Sequence, residues 1–196
     1  MAHAINDEAL DTIFRAARTH NIWLDKPVSP TLLMAVYDLM RWGPTSANTS
    51  PARIVFVVSK EAKERLKPHL GAANVDKTMA APATAIIGYD LDFARHMPKL
   101  FPHNPGAKDW FKDPAFAKTT AFRNGALQGG YFIIAARALG LDCGPMSGFD
   151  NEGVDREFFA GTAIKSNFLC NVGYGDEAGL FARGPRLSFD EACKIV

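Results

Sequence analysis

Apolar residues recur at helical spacing in two early stretches. Over Glu8 to Arg18, the residues Leu10, Ile13, Phe14 and Ala17 share one face, and Asn6 or Asp7 is placed to cap the helix. The second stretch is marked more fully. Ser29 stands as N-cap and Pro30 at the first helical position, followed by Leu32, Leu33, Val36, Leu39 and Met40, with a stop at Gly43-Pro44. The β-branched runs Arg53–Ser59 and Ala83–Tyr89 predict two buried strands, and Ser166–Gly173 predicts a third. Between the first two, Lys60–Leu70 predicts a charged surface helix and Asn74–Ala81 a short one ended by Pro82. From Leu91 to Lys118 periodicity dissolves into a stretch rich in proline and aromatics, whose rings need cover from the domain, a ligand or a partner chain. Thr119–Leu139 predicts the longest helix, stopped by Gly140. Each glycine in its small middle, Gly125 to Gly130, costs about 1 kcal/mol relative to alanine, so close approach of another helix is expected there. Asp142 to Phe149 reads as a Gly/Pro turn, Asp150 as the cap of a helix reaching Phe159, and Ser188 with Glu191 as a capping box for a terminal helix.

Helices outnumber strands, and only the early strand–helix–strand portion resembles a βαβ unit. The fold class expected is α+β, a central sheet wrapped by helices, with residues 1–196 forming one domain and neither repeat nor linker. Lysine plus arginine number 22 against 21 acids, which gives no support to nucleic-acid binding. No apolar run approaches the ~18 residues of a membrane span. The three cysteines, Cys143, Cys170 and Cys193, show no CxxC spacing, so neither a zinc set nor a disulfide framework is expected. The acids near the N-terminus argue against a signal peptide, and a soluble cytoplasmic protein is the expectation.

Common catalytic signatures are absent: there is no GxSxG, HExxH or Walker loop. Gly173-Tyr-Gly175 precedes Gly179 one position too far for a dinucleotide fingerprint. His96 and His103 alone make a poor metal site. Three polar clusters stand out instead. Arg18-Thr19-His20-Asn21 at a helix end suits a phosphate or ribityl chain, or plain C-terminal capping. Gly43 to Pro51, leading into a strand, suits recognition of a heteroaromatic edge, or is a solvated turn. Arg183-Gly-Pro-Arg186 suits a phosphate clamp, or two solvated arginines.

Taken in this order, the clusters resemble the nitroreductase-like flavoproteins over nearly the whole chain. Arg18-Thr19 with Trp23 and Pro27-Val28 resembles that family's opening motif. Pro44-Thr-Ser-Ala-Asn-Thr-Ser-Pro51 is similar to its strand-entry loop, and Gly140 to Gly148 to its glycine-proline turn beneath the flavin ring. Val172-Gly-Tyr-Gly175 followed by Arg183 to Arg186 resembles its closing strand and phosphate-binding basic residues. Within the family, Trp42–Asn48, Gly144–Asp150 and Leu180–Arg183 resemble the branch of malonic semialdehyde reductases of pyrimidine utilisation.

The resemblance implies FMN, hydride supply from NADH or NADPH through flavin N5 in alternating half-reactions, and an intertwined homodimer with FMN at its interface. It also implies a mostly antiparallel sheet. It assigns Arg18, Thr19, His20, Asn21, Arg183 and Arg186 to the phosphate and ribityl end. Ser46, Asn48 and Ser50 would approach the ring edge, Pro145, Met146, Ser147 and Gly148 the ring, and Asn74 and Lys77 its pyrimidine side. Asn21 and Ser50 depart from the basic residue and the glutamine that many members carry. For an acid aldehyde, Arg95 or Arg123 would receive the carboxylate. Because a bound flavin carries the hard chemistry, no side-chain dyad is required. The competing readings are a broad nitroaromatic or quinone reductase, a non-catalytic flavin-binding module, and a flavin-free interaction protein.

Overall fold

The computed structural model describes residues 3–196. Its centre is a four-stranded antiparallel sheet in the order β1-β2-β4-β3, made of β1 (Ala52–Val57), β2 (Ala83–Asp90), β3 (Asp142–Met146) and β4 (Ile164–Gly173). β1 and β2 pair antiparallel, with Ala52 opposite Tyr89 and Val57 opposite Thr84, so the βαβ reading of that portion is corrected. The short helices between them, α3 (Lys60–Leu66) and α4 (Val75–Ala80), return the chain to the same end of the sheet from which it left.

The first helix, α1, is brief (Asp7–Leu10) and continues as a π turn over Asp11–Arg15, with the Asn6 side chain accepting from the Ala9 N–H. α2 runs Pro30–Met40 and begins as its pattern predicts, the Ser29 hydroxyl accepting from the Leu32 N–H. The proline-rich stretch after β2 holds short turns and α5 (Met97–Leu100). Phe93 and Met97 are fully buried there, whereas Trp110 and Phe116 remain half exposed. The long helix α6 spans Pro114–Ala138, starting five residues before the predicted Thr119. The Asp113 carboxylate accepts from the Ala115 and Phe116 N–H groups, and Pro114 occupies the first turn, where its missing N–H is harmless.

Glycines 125 and 129 of α6 face the sheet rather than another helix. A Cβ on Gly125 would stand 2.9 Å from Tyr89 Cβ, and one on Gly129 2.5 Å from the Phe168 ring, while Gly130 has open space before it. The expected helix–helix approach is therefore replaced, at these two positions, by approach to β2 and β4. On that side of the sheet, Leu33, Val36 and Met40 of α2 and Phe132 and Ala136 of α6 pack against Ala85, Ile87, Cys143 and Cys170. On the other, Leu66, Ile86, Met146, Val154 and Leu169 form a second core with α3 and α7 (Asn151–Phe158). Each fully buried large side chain contributes roughly 1.5–3 kcal/mol.

β3 occupies what reads in sequence as a Gly/Pro turn. The strand is tolerated because it is an edge: Cys143 turns its carbonyl outward to accept from the His20 N–H at 3.1 Å. Pro145, two residues on, presents the same outer side, where no ladder bond requires its nitrogen. At the opposite edge, β1 borders an apolar groove of about 790 Å³ walled by Leu33, Met34, Tyr37, Ile54 and Phe56. After β4 the chain leaves the core. Residues 181–196 are exposed throughout, with α8 (Phe189–Ala192) held by the predicted Ser188–Glu191 capping box. No helix of the described residues is long and apolar enough to cross a membrane.

Candidate functional site

Arg18 to Trp23 run alongside β3 and β4, with Thr19 bridging Cys143 and Trp23 bridging Gly175. The extended backbone alternates its side chains. His20 turns inward, where it is buried with Nε2 3.4 Å from Asp142 Oδ1 and its ring packed under Gly175. Thr19 and Asn21, on either side of it, line a surface cavity of about 520 Å³. The His20 side chain, expected at the phosphate and ribityl end, does not line this cavity and packs against β3 and β4.

The same cavity collects Arg18, Arg137, Arg183 and Arg186, and among the described residues no aspartate or glutamate lines it. Each guanidinium is positioned by backbone carbonyls. Arg18 donates to Phe181 O, Arg183 to Arg15 O at 2.8 Å and Ala17 O at 3.0 Å, and Arg186 to Gly184 O and Pro185 O. The nearby acids of the first helix, Asp7 and Asp11, are taken by Arg15 at 2.7 and 2.6 Å. Carbonyls orient a cation without cancelling its charge, so the cavity holds strong uncompensated positive potential. Arginine forks match a phosphate geometrically as well as electrostatically.

A second group gathers at the far end of β3. Asn74, just before α4, donates from Nδ2 to Gly148 O at 2.7 Å, and the Gly71 N–H donates to the same carbonyl at 2.9 Å. The carbonyl is doubly satisfied, while the N–H of exposed Gly148 has no acceptor among the described residues. Pro145 and Met146 end the strand here, Met146 buried and Ser147 exposed. α4 is fixed from three directions. Trp23 Nε1 and Asn171 Nδ2 both donate to Lys77 O, at 3.0 and 3.2 Å, and Lys63 Nζ donates to Thr78 O at 2.8 Å and to Ala81 O. Lys63 is buried without a carboxylate, and burial pushes its pKa down to about 8. Lys77 itself stays partly exposed on the face beside Asn74.

The predicted Gly43–Pro51 cluster lies elsewhere. Ser46 and Asn48 sit in an exposed turn held by α5 and α6: Ser46 N–H donates to Asn124 Oδ1 and Asn48 Nδ2 to Leu100 O, both at 2.8 Å. Ala47, Asn48 and Ser50 all have positive φ, at 47°, 53° and 40°. Such backbone is sparsely populated by residues other than glycine, and clusters where a site demands it. Ser50 also borders the apolar groove rather than the arginine cavity. Arg95 is engaged with Asp90 at 3.2 Å and Asp92 at 3.0 Å, whereas Arg123 is exposed on α6 with no ion pair among the described residues.

A cavity of four arginines without a carboxylate, an unpaired backbone N–H and a constrained Asn–Gly contact fit a ligand with a phosphate at one end and a polar ring at the other. FMN has that composition. Arg18, Thr19, Asn21, Arg183 and Arg186 would hold its phosphate and ribityl end, and Gly148, Asn74 and Lys77 its ring. Fold and site together define a phosphate-binding α+β protein of the flavoenzyme type. Residues 3–174 match the model of the nitroreductase family. A Stenotrophomonas maltophilia protein bearing the provisional name NADH dehydrogenase/NAD(P)H nitroreductase is 64% identical over 197 residues, covering 100% of both chains. Among solved structures, a provisionally named Bacillus subtilis nitroreductase, ydfN, superposes with a TM-score of 0.86 at 20% identity, covering 97% of this chain and all of that one. An Exiguobacterium sibiricum protein crystallised in complex with FMN does so at 0.82 and 16% identity, with 100% of both covered. The chain belongs to the nitroreductase family, and with it to the FMN-dependent NAD(P)H oxidoreductases.

Sequence reasoning missed Arg137, hidden in the periodicity of a helix, and Trp23 and Asn171 as supports of α4. The buried amide of Asn171, also the acceptor for Thr84 Oγ1 at 2.8 Å, was the available signal, since a polar residue inside a strand run needs partners.

Proposed function

We propose that the chain reduces malonic semialdehyde to 3-hydroxypropionate as an FMN-dependent NAD(P)H oxidoreductase, working as a homodimer in the cytoplasm. The observation that carries the flavin part is the arginine cavity, whose charge no acidic side chain offsets. When bound, FMN supplies the hydride relay between nicotinamide and acceptor. The chain's own residues do the rest. The arginines anchor the phosphate, the Gly148 N–H offers a donor to the ring, and Lys77 lends positive charge that favours a reduced, anionic ring. Donor and acceptor must each reach ~3–3.5 Å from the relay atom, which calls for a rigid floor. Trp23, Asn171 and Lys63 provide it by fixing α4.

The substrate rests on the strings Trp42–Asn48, Gly144–Asp150 and Leu180–Arg183, and on Arg123, which is exposed and unpaired and so open to a carboxylate. Arg95 is less suited, since Asp90 and Asp92 hold it. A homodimer is supported by the separation of the predicted ring contact Ser50, which borders the β1 groove, from the arginine cavity. It is supported too by the exposed apolar tail residues Phe181, Leu187 and Phe189 and the apolar groove along β1.

Anaerobic NADPH should bleach the visible spectrum of the yellow protein, and malonic semialdehyde should restore it. Recovery with nitroarenes or quinones alone would replace the semialdehyde reading with a broad reductase. Bound flavin that NADH and NADPH reduce only slowly would favour a binding module. Light scattering that returns a monomer at micromolar concentration would remove the homodimer.

A further inference from the structure

Three of the four cavity arginines sit on irregular chain, Arg18 after the first helix and Arg183 and Arg186 in the tail. The fourth, Arg137, projects from the last turn of α6, a 25-residue helix packed on the core. A cation there ordinarily turns back to the carbonyls of its own helix end. Arg137 does not: its Nη1 donates at 3.1 Å to the carbonyl of Ile13, on a different segment, and its Nε is closed off from solvent with no acceptor. Of five donors on a planar fork, one is thus used by protein oxygen and one is buried idle. Its charge reaches the core behind the cavity, where it opposes the rise that the Cys143 thiol and burial impose on Cys170. A half-buried guanidinium with no counter-ion costs free energy to keep, and three more line the same space. An arrangement of this kind is stable in company with a multivalent anion and strained without one.

We infer that Arg137 is the rigid member of the phosphate clamp, the residue by which the cavity tells a phosphorylated flavin from an unphosphorylated one. The inference rests on the FMN reading of the cavity. Arg18, Arg183 and Arg186 sit on irregular chain, whereas Arg137 is set in advance by a long helix packed on the core, and a preorganised donor favours discrimination.

The test is a fluorescence titration of apoprotein with FMN and, separately, with riboflavin, for wild type, Arg137→Met, Arg137→Gln and Arg137→Lys. Gln keeps a donor for Ile13 O and stands in for Met if the latter does not fold. Wild type should prefer FMN over riboflavin. The neutral variants should weaken FMN binding about 10- to 100-fold, as expected for loss of a charged hydrogen bond, and leave riboflavin affinity in place. Lys should recover part of the loss. Equal weakening of both flavins would make Arg137 a purely structural residue, and unchanged FMN affinity would remove it from the clamp. Wild type that binds the two flavins equally would overturn the phosphate reading of the cavity itself, an outcome visible before any variant is made.

Discussion

Two arginine clusters lie in this molecule, and they differ in what answers their charge. At the end of β2, Arg53 and Arg95 converge on Asp90, whose fully buried carboxylate accepts from them at 3.0 and 3.2 Å and from the Asp92 N–H at 2.9 Å. In the cavity beside β3, four arginines meet no carboxylate among the described residues. The first cluster is complete within the chain. The second is complete only with something brought to it. Arginine count alone would not have separated them; the location of the counter-charge does.

That contrast can be broken at its closed end first. Arg53→Met strips Asp90 of its best-buried partner and should lower stability in urea by about 3 kcal/mol, the low end for a broken buried pair because Arg95 still faces the carboxylate. A loss below ~0.5 kcal/mol would place this cluster with ordinary surface pairs. At the open end the expectation reverses. Arg18→Ala should change apoprotein stability by no more than ~0.5 kcal/mol and weaken FMN binding by about 1.5–3 kcal/mol, read by fluorescence titration. A variant that loses stability instead of affinity would show that the cavity is structural.

Lys63 sharpens the comparison as a third solution, a buried cation answered by carbonyls alone. Its folded pKa, about 8, lies below the 10.5 of the unfolded chain, so between those values the unfolded state binds more protons and stability rises with pH. The contribution is at most ~1.4 kcal/mol per pH unit, and it should appear as a rise with pH in wild type that Lys63→Met lacks, in denaturation from pH 8 to 10.5. The smallest effect is inorganic phosphate on apoprotein. At a concentration equal to its Kd it should add about 0.4 kcal/mol beyond chloride of equal ionic strength, in wild type and Arg53→Met but not in Arg18→Ala.

How much of this was legible beforehand follows the range of the interactions. α2, β1, β2 and the terminal capping box are local, carried by Ser29-Pro30, by β-branched runs and by Ser188 with Glu191. β3 was not legible, because Gly144-Pro145 spells a turn unless the strand is known to be an edge. The early start of α6 was missed because Asp113-Pro114 caps it inside a stretch already broken by prolines. Around the arginine cavity, Arg18, Arg183 and Arg186 stand in short motifs that the sequence displays. The inward turn of His20 was not legible, because strand alternation is invisible without β3 and β4 beside it. Asp90's claim on Arg53, 37 residues away, and Arg137's release from any acid are facts of tertiary structure only.

Pro145 at the outer side of β3 also bears on whether another strand can be added there. An incoming strand needs a row of donors, and there the row has a gap, with the Arg18–Trp23 segment already laid along the same edge. The sheet is therefore one-sided toward other chains: a strand is received at β1 or not at all. Molecules with two receptive edges can add neighbours indefinitely, as fibrils do, whereas molecules with one can only pair and stop. A single imino acid thus helps close one of the two sheet edges to strand addition.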